Sequence, residues 1–325
     1  MVQTLLIFGG TGSLGKALIH KYVHKYNIVN FSRDELKQWE LQLLVSGLKS
    51  NNTFVNVIGN IRNYESVKTC INTYKPNVVI IASALKQIVR CEYQPNQSIK
   101  TNVNGPQNVL RALRTHVNVV TCFVSTDKAC NPINTYGVCK ALSERLMISE
   151  SKENTQNKYV IVRYGNVLGS SGSVIPKFIE QLKQKIELTI TDPHMTRFSI
   201  TMDEALDFIL TASELGKGSE IFIPKLRAYS ILDVKNALQD MIGNFGEKNI
   251  GIRPGEKLHE TLINKEEIRY SWEYENLYII TPPHYSTFHP NGINESYQNI
   301  KKLDGMEEYS SDVVPNIPIN ELKNI

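Results

Sequence analysis

Hydrophobic residues in the first half of the chain form short runs, separated by longer segments in which apolar positions recur every three or four residues. The short runs are typical of buried strands, and the longer segments are typical of amphipathic helices. The predicted strands are Leu5–Phe8, Ile28–Phe31, Phe54–Ile58, Val78–Ala82, Val119–Val124 and Tyr159–Val162. The predicted helices between them are Leu14–Tyr26, Asp34–Leu48, Tyr64–Tyr74, Gln97–Arg114 and Tyr136–Lys152.

This alternation of strands and helices predicts an α/β fold with a Rossmann-type, doubly wound parallel sheet, and it disfavours a mixed α+β fold. Beyond about Asn166 the pattern becomes irregular, and the stretches GSSGSVIP, ITDPHM and IRPGEK are typical of loops. We therefore expect one domain over residues 1–165 and a smaller C-terminal domain over 166–325. A predicted helix over Asp203–Leu215 and a strand over Ile221–Pro224 indicate that the segment of about 198–225 returns to the sheet.

Composition narrows the class of protein. The chain has 325 residues, of which 36 are basic and 32 acidic, and these are intermixed, so no basic stripe indicates a nucleic-acid partner. No charged and apolar leader opens the sequence, and its apolar runs are far shorter than the ~20 residues that cross a bilayer, so we expect a soluble, cytoplasmic protein without membrane contact. The five cysteines lack C-x-x-C spacing, and the seven histidines show no metal-ligand pattern, so no metal is expected.

The sequence GGTGSLG directly follows the first predicted strand. Gly9, Gly12 and Gly15 are spaced three apart, and the last two lie where the first helix begins. A bound pyrophosphate needs a tight turn, close backbone approach and a helix N-terminus, all of which this arrangement supplies. An ordinary glycine-rich turn is the alternative, but the position at the start of a β-α series favours a dinucleotide site.

The end of the second predicted strand indicates which dinucleotide binds. Ser32, Arg33 and Asp34 stand there, with Lys37 one turn further on. Arginine and lysine pair with a 2′-phosphate, whereas the carboxylate usual in NAD-binding proteins repels it. The sequence therefore favours NADP. In the alternative interpretation, Asp34 binds the ribose and Arg33 is a surface charge.

Tyr136 and Lys140 form a Y-x-x-x-K pair after the fifth predicted strand. Residues four apart share one face of a helix, so the ammonium group can lie beside the phenol. A free phenol has a pKa near ~10, and a neighbouring cation favours the phenolate that can accept a proton from a sugar hydroxyl. A surface pair is the alternative. Thr126 is placed to orient the hydroxyl that is oxidised.

Asp127 and Lys128 precede this pair and add an acid and a base. Oxidation or 4-epimerisation needs only the tyrosine, the lysine and a hydroxyl-bearing residue, so the extra groups indicate further proton transfers. Once carbon 4 is a ketone, Lys128 can remove the proton on carbon 5, and Asp127 can protonate the hydroxyl that leaves carbon 6. In the structural alternative, Asp127 caps a turn and Lys128 is solvated.

At this point the sequence resembles a known family, the UDP-N-acetylglucosamine 4,6-dehydratases of the extended short-chain dehydrogenase/reductase class. The resemblance is greatest to the soluble inverting type of the pseudaminic acid pathway. The matching stretches span nearly the whole chain in order: GGTGSLGK, FSRDELKQWE, ASALKQI, KTNVNGPQNV, STDKACNPINTYGVCK, RYGNVLGSSGSVIPKF, ITDPHMTRFSIT, EIFIPK, GIRPGEKLHE and EEYSS.

The resemblance implies an NADP-binding domain followed by a UDP-sugar-binding domain, and it implies roles for individual residues. The implied catalytic residues are Thr126, Asp127, Lys128, Tyr136 and Lys140. The implied cofactor-binding residues are Gly9, Thr11, Gly12, Ser13, Leu14, Gly15, Ser32, Arg33, Asp34, Lys37, Asn60, Ile61, Ala82, Ser83, Ala84, Lys86, Tyr136 and Lys140. The implied substrate-binding residues are Lys86, Asn166, Ser173, Val174, Thr191, Arg197, Arg253 and Glu256.

Retaining relatives carry methionine at the position of Tyr136, so the tyrosine favours the inverting type. The implied product is UDP-2-acetamido-2,6-dideoxy-β-L-arabino-hex-4-ulose, with either Tyr136 or Lys128 returning the proton to carbon 5. The rival functions are a UDP-sugar 4-epimerase, a dehydratase with added 3-epimerase activity, and a catalytically inert NADP-sensing module. The expected partners are UDP-N-acetylglucosamine and further copies of the chain in a homo-oligomer. The stretch from Tyr270 to His289 is interpreted as either a substrate-lid hairpin or an oligomer contact.

Overall fold

The computed structural model describes residues 2–170, 173–289 and 292–323. Its first part is a series of strands and helices that alternate as the hydrophobic pattern predicts. These elements are β1 (Thr4–Phe8), α1 (Ser13–Tyr22), β2 (Asn27–Ser32), α2 (Glu35–Ser46), β3 (Phe54–Ile58), α3 (Tyr64–Tyr74), β4 (Val78–Ile81), α4 (Ile88–Tyr93), α5 (Pro95–Asn102), α6 (Asn104–Leu113), β5 (Val120–Val124), a 3₁₀ helix (Asp127–Ala129), α7 (Thr135–Glu153) and β6 (Lys158–Val162).

Shorter elements predominate in the second part of the chain. They are β7 (Asn166–Val167), α8 (Val174–Lys183), β8 (Leu188–Ile190), β9 (Thr196–Ile200), α9 (Met202–Leu215), β10 (Ile221–Pro224), β11 (Arg227–Ser230), α10 (Ile231–Ile242), β12 (Glu247–Asn249), β13 (Thr261–Ile263), α11 (Lys265–Ile268), β14 (Ser271–Tyr274), β15 (Leu277–Ile280), α12 (Tyr285–Phe288), α13 (Gly292–Ser296), β16 (Lys301–Lys302), β17 (Tyr309–Ser310) and α14 (Ile319–Leu322).

The main sheet has the strand order β16-β14-β15-β10-β6-β5-β4-β1-β2-β3. Neighbouring strands run parallel from β3 to β10. The order β3-β2-β1-β4-β5-β6 is that of a Rossmann sheet, whose direction of winding reverses between β1 and β4. The predicted α/β fold with a doubly wound parallel sheet is confirmed.

Side chains on β1 alternate between two hydrophobic layers because successive residues of a strand point to opposite faces. Leu5 and Ile7 pack with α1, α2 and α9 on one face, and Leu6 and Phe8 pack with α3, α6 and α7 on the other. Burial on both faces explains why the strands read as continuous apolar runs rather than as an alternating pattern.

Residues on both sides of position 166 contribute strands to this sheet. Strand β10 has the predicted bounds and pairs in parallel with β6, placing Ile221 opposite Ile161. The hairpin β14–β15 then pairs antiparallel to β10, so part of the segment from Tyr270 to His289 extends the sheet. The smaller hydrophobic cluster, built from α8, β8, β11, α10 and α14, packs separately from the two sheet layers.

The predicted helix Gln97–Arg114 is two helices, α5 and α6, which meet at Val103. Pro106 explains the break, because its ring clashes with the carbonyl of Asn102 in a continuous helix. The stretch GSSGSVIP, predicted as a loop, leads into α8 at Val174, and its residues 171 and 172 lie outside the described residues. Across the described ranges, no helix is both long and apolar enough to cross a membrane.

Candidate active site

A cavity of about 410 Å³ lies at the carboxyl ends of β1, β4, β5 and β6. Doubly wound sheets bind ligands at this edge, beside the point where the winding reverses. One wall is the Rossmann part of the molecule. The opposite wall comes from the second part of the chain, so the fold closes two distant stretches of sequence around a single space.

The structure brings the predicted catalytic and substrate-binding residues together in the wall of this cavity. Those lining it are Thr126, Asp127, Lys128, Tyr136, Lys140, Lys86, Asn166, Ser173, Val174, Thr191, Arg197, Arg253 and Glu256. Four more of the predicted cofactor residues also line it, namely Ser13, Leu14, Ala82 and Ala84. The remaining predicted cofactor residues lie in the turn after β1 and the first turn of α1, beside Ala82, at or beyond the end of β2, or beyond the end of β3.

The glycine-rich turn after β1 is packed too closely for side chains. Gly9 has a φ of +97°, and a Cβ there would lie 2.8 Å from the backbone nitrogen of Ser83. A Cβ on Gly15 would lie 2.4 Å from the Cα of Gly10. The turn therefore brings the N-terminus of α1, capped by Gly12, against the carboxyl end of β1. This cradle fits the pyrophosphate of a dinucleotide.

The polar residues after β2 are held by α2. Asp34 is the N-cap of this helix, and its Oδ1 accepts a hydrogen bond from the Lys37 backbone nitrogen at 3.0 Å. The Lys37 ammonium lies 3.4 Å from Asp34 Oδ2, and Arg33 is exposed. The buried Ser32 hydroxyl accepts from Gln38 Nε2 at 2.8 Å. Two cations thus stand at the place predicted for a 2′-phosphate.

Further predicted cofactor residues follow β3. The Asn60 side chain accepts from the Arg62 backbone nitrogen at 3.1 Å, and Ile61 is buried with its carbonyl bonded to Asn108. Both residues are therefore fixed in the loop after β3, the neighbour of β2 in the sheet.

Asp127 opens the 3₁₀ helix that follows β5, and its side chain is 1% exposed. Its Oδ1 accepts from the Thr126 hydroxyl at 2.7 Å and from the Lys128 backbone nitrogen at 2.9 Å. Its Oδ2 is buried without a hydrogen-bond partner in the described part of the chain. Because a buried carboxylate oxygen is costly to leave unpaired, Oδ2 is available to a ligand in the cavity.

Lys128 lies between two buried carboxylates. Its Nζ is 3.1 Å from Asp127 Oδ1 and 3.1 Å from Glu260 Oε1. Burial disfavours the charge, but the two carboxylates more than offset it and raise the pKa of Lys128. The ammonium form is therefore the resting state. The structural alternative of a solvated lysine is inconsistent with a side chain that is 16% exposed.

Tyr136 is held in the first turn of α7, where Asn134 caps the helix. Burial raises the pKa of Tyr136 to about 12, while the charge of Lys128 and a hydrogen bond with Thr126 act in the opposite direction. Lys140 lies one turn on, donates to the Val124 carbonyl at 2.6 Å, and has its pKa lowered to about 8 by burial. Burial thus shifts the pKa of each group in the direction that favours its neutral form.

A cluster of buried charged side chains fixes the residue that follows β5. Arg163, the residue after β6, pairs with Glu144 on α7 at 2.6 Å and with Glu267 on α11 at 2.9 Å. Glu144 also accepts a hydrogen bond from the Ser125 hydroxyl. A buried charge needs such pairing, so the cluster fixes the residue before Thr126 against α7 and α11.

The two arginines assigned to the substrate differ in their surroundings. The buried Arg197 donates to the backbone carbonyls of Thr196, Leu258 and Lys257, so it also fixes the loop that carries Glu260. Arg253 is half-exposed and pairs with Glu256 at the cavity wall. Of these two guanidinium groups, that of Arg253 is therefore the more accessible to an anionic ligand.

Sequence reasoning missed Glu260 and Lys177, both of which line the cavity. Glu260 lies in the quoted motif GIRPGEKLHE, just before β13, but no local spacing connects it with Lys128. Lys177 follows Ser173 by one helical turn, which is a usable signal, since both then share a face of α8. Burial lowers the pKa of Lys177, and nearby Arg253 lowers it further.

Comparison with known proteins assigns this chain to a family. The family model described as polysaccharide biosynthesis protein matches residues 5–282. The inverting UDP-N-acetylglucosamine 4,6-dehydratase of Campylobacter jejuni subsp. jejuni serotype O:23/36 (strain 81-176) is 39% identical, over 96% of this chain and 93% of that protein. The UDP-glucose 4-epimerase of Rickettsia bellii (strain OSU 85-389) is 37% identical, over 99% of this chain and 95% of that protein.

The crystal structure of Pen from Bacillus thuringiensis is similar throughout, with 32% identity and a TM-score of 0.87 over 99% of this chain and 96% of that one. The resemblance noted from the sequence motifs is confirmed. The chain belongs to the polysaccharide biosynthesis protein family, whose extended short-chain dehydrogenase/reductase fold it shares with the inverting UDP-N-acetylglucosamine 4,6-dehydratases.

Proposed function

We propose that the protein is an NADP-dependent, inverting UDP-N-acetylglucosamine 4,6-dehydratase. The reaction oxidises carbon 4 of the hexose, removes water across carbons 5 and 6, and returns hydride to carbon 6. The product is UDP-2-acetamido-2,6-dideoxy-β-L-arabino-hex-4-ulose. The observation that carries the proposal is the convergence of Tyr136, Asp127 and Lys128 on one cavity, which supplies an acid and a base beyond those that oxidation requires.

The cofactor is assigned to the glycine cradle after β1 and to the cations after β2. Gly9, Gly12 and Gly15 form the pyrophosphate site, and Arg33 and Lys37 hold the 2′-phosphate. When bound, NADP supplies the hydride acceptor and donor. Lys140, anchored to the carbonyl at the end of β5, places a positive group under the same part of the cavity.

The chain's own residues then divide the proton transfers. Tyr136 accepts the proton of the carbon 4 hydroxyl, which Thr126 orients. Lys128 in its neutral form removes the proton from carbon 5, whose acidity the adjacent ketone increases. Asp127 in its protonated form delivers a proton to the hydroxyl that leaves carbon 6 as water. Tyr136 then returns to carbon 5 the proton that it took from the carbon 4 hydroxyl. At this point Lys128 is an ammonium and Asp127 a carboxylate, 3.1 Å apart, and Asp127 must regain a proton before the next turnover.

The UDP-sugar is assigned to the wall formed by the second part of the chain. Arg253 and Lys177 bring positive charge for the diphosphate, and Glu256 accepts a hydrogen bond from a sugar or ribose hydroxyl. Arg197 acts mainly through the loop of residues 257–258, to which it is bonded.

A UDP-sugar 4-epimerase is the second candidate, because a relative of 37% identity carries that name. Epimerisation at carbon 4 needs Tyr136 but gives no role to a buried carboxyl beside a buried lysine. The cost of burying Asp127 and Lys128 therefore favours dehydration over epimerisation.

Incubation of the purified protein with NADP and UDP-N-acetylglucosamine is expected to give a product lighter by one water. Mass spectrometry measures the loss, and in deuterium oxide the product gains one deuterium at carbon 5, because that carbon is deprotonated and then reprotonated from solvent-exchanged groups. A product of unchanged mass identifies an epimerase instead. Unchanged substrate with both UDP-N-acetylglucosamine and UDP-glucose indicates an inert module.

The preference for NADP over NAD is expected to weaken when Arg33 and Lys37 are both replaced by alanine. Because Arg33 and Lys37 are solvent-exposed, we expect each to contribute about 1 kcal/mol to binding of the phosphate, so that NADP affinity falls by about 30-fold with NAD affinity nearly unchanged. Titration calorimetry with both dinucleotides measures this. The exposed Lys248→Ala variant is the matched control. An equal loss for NAD and NADP would contradict the assignment.

A further inference from the structure

The buried carboxylate of Glu260 contacts Lys128, one of the proposed catalytic residues. Its side chain is 2% exposed, its Oε1 lies 3.1 Å from Lys128 Nζ, and its Oε2 is buried without a hydrogen-bond partner in the described residues. Asp127 holds the same Nζ at 3.1 Å with one oxygen and likewise leaves the other unpaired. Carboxylate, amine and carboxylate thus form a continuous row along the cavity wall.

The C-terminal part of the chain fixes Glu260 in this row. Its backbone nitrogen donates to the Ser311 hydroxyl at 2.9 Å, and its carbonyl accepts from the Ser311 nitrogen at 2.8 Å. The Ser310 hydroxyl donates to the same carbonyl at 3.3 Å. Strand β17 and the residue after it therefore hold this carboxylate against Lys128, and Arg197 approaches its Oε1 from the other side at 4.0 Å.

The proposed reaction creates a need for such a group. Lys128 must be neutral to remove the proton from carbon 5, yet its neighbours favour the ammonium. In the proposed starting state Asp127 is already protonated, because it delivers a proton to the carbon 6 hydroxyl, and a protonated Asp127 cannot also accept the proton of Lys128. Glu260 is the other acceptor within hydrogen-bond distance of Nζ among the described residues.

We propose that Glu260 is a positioning residue that holds Lys128 from the side opposite Asp127 and accepts its proton before carbon 5 is deprotonated. The inference rests on the proposed dehydratase function. The protons balance: Lys128 ammonium gives one proton to the Glu260 carboxylate, the neutral amine takes the carbon 5 proton, and protonated Asp127 gives its proton to the departing hydroxyl. Tyr136 returns to carbon 5 the proton that it took from the carbon 4 hydroxyl. The proton on Glu260 then passes through Lys128 to Asp127, which restores the starting state.

The titration of Lys128 depends on charges from every element packed against it. On its own 3₁₀ helix Asp127 stabilises the ammonium, and Glu260 does so from the segment before β13. Arg197 on β9 opposes it. Two phenols also interact with Lys128, those of Tyr136 on α7 and Tyr229 on β11.

The test compares Glu260→Gln, which cannot accept a proton, with Glu260→Asp, which can. Two steps are followed separately with UDP-N-acetylglucosamine: oxidation of carbon 4, from the absorbance of reduced nicotinamide in a single turnover, and loss of water, from product mass. At pH 7 we expect Glu260→Gln to retain carbon 4 oxidation and KM within about 3-fold and to lose dehydration by about 100-fold or more. Glu260→Asp is expected to recover at least a tenth of the wild-type dehydration rate.

The pH profile separates proton transfer from a structural role. In Glu260→Gln the proton on Lys128 must leave to solvent, so dehydration is expected to rise by about tenfold per pH unit, whereas the wild type changes little. A pH-independent loss, or a parallel loss of carbon 4 oxidation in both variants, overturns the inference, as does wild-type dehydration in Glu260→Gln. If Glu260→Gln does not fold, the inference stands or falls on Glu260→Asp, which must dehydrate while keeping carbon 4 oxidation.

The proposed function is tested by the wild-type protein alone. A wild-type product of unchanged mass refutes the dehydratase assignment, and the proton-accepting role of Glu260 falls with it. A wild-type product that has lost water, together with an unaffected Glu260→Gln variant, refutes only the inference about Glu260.

Discussion

The Asp127→Asn variant is expected to lose dehydration by about 10²- to 10⁴-fold while it still oxidises carbon 4 of the substrate. Asparagine keeps the acceptor oxygen that bonds the Thr126 hydroxyl and the Lys128 backbone nitrogen, so the 3₁₀ helix remains in place. It has no proton to give to the hydroxyl on carbon 6. Reduced nicotinamide should therefore accumulate without a product that has lost water.

The absorbance of reduced nicotinamide measures the oxidation of carbon 4, and the product mass measures the loss of water. The control is Asp203→Asn on α9, where the carboxylate is 84% exposed and pairs with Lys21. This control should dehydrate within about twofold of the wild type, because an exposed ion pair contributes little. Normal dehydration by Asp127→Asn would remove Asp127 from the mechanism.

The Tyr136→Phe variant is expected to lose carbon 4 oxidation and dehydration together, by about 10²- to 10⁴-fold, because the first proton transfer has no acceptor. Burial raises the pKa of Tyr136 to about 12, so the phenol is neutral at pH 7 in the protein alone. Carbon 4 oxidation by the wild type should therefore rise with pH toward that pKa. In the variant this rise should be absent.

Tyr159→Phe is the matched control for the loss of a buried phenol. The Tyr159 hydroxyl is bonded to Asn154 at 3.1 Å near the start of β6, at the opposite edge of the sheet from the cavity. Its removal costs about 1 kcal/mol of unfolding free energy and should leave both reaction steps intact. Retained carbon 4 oxidation in Tyr136→Phe would show that another group is the base.

The two variants differ in the step at which they stop. Asp127→Asn should stop after oxidation, and Tyr136→Phe should stop before it. An epimerase would show no such separation, because loss of water is not part of its reaction. The pair therefore tests the division of labour between the two residues as well as the role of each.

The local hydrophobic pattern was sufficient to predict the strands and most of the helices in the Rossmann half of the molecule. A strand buried on both faces must be apolar throughout, and a helix that covers it must be apolar on one face, so hydrophobicity alone located β1 to β6 and most of their helices. Fixed spacing also identified Gly9, Gly12 and Gly15 as a candidate pyrophosphate site and Tyr136 and Lys140 as a candidate catalytic pair. In each case the residues that act together lie within about two helical turns along the chain.

Tertiary structure decided what depends on distant parts of the chain. The hairpin β14–β15 could be a lid or an oligomer contact from its sequence, and only its pairing with β10 shows that it extends the sheet. Arg197 carries a charge that suits a diphosphate, but its position directs it to three backbone carbonyls.

Glu260 shows most clearly which contacts cannot be predicted from the sequence alone. It lies 132 residues from Lys128 along the chain, yet the two side chains are 3.1 Å apart. Such a contact leaves no periodicity in the sequence, because it arises where β5, β9 and β17 bring three separate segments to one edge of the fold. The sequence by itself thus determined the parallel strands β1 to β6, the glycine turn and the predicted catalytic pairs, whose members lie close together along the chain. Only the packing of the second part of the chain against that sheet placed a second carboxylate beside Lys128.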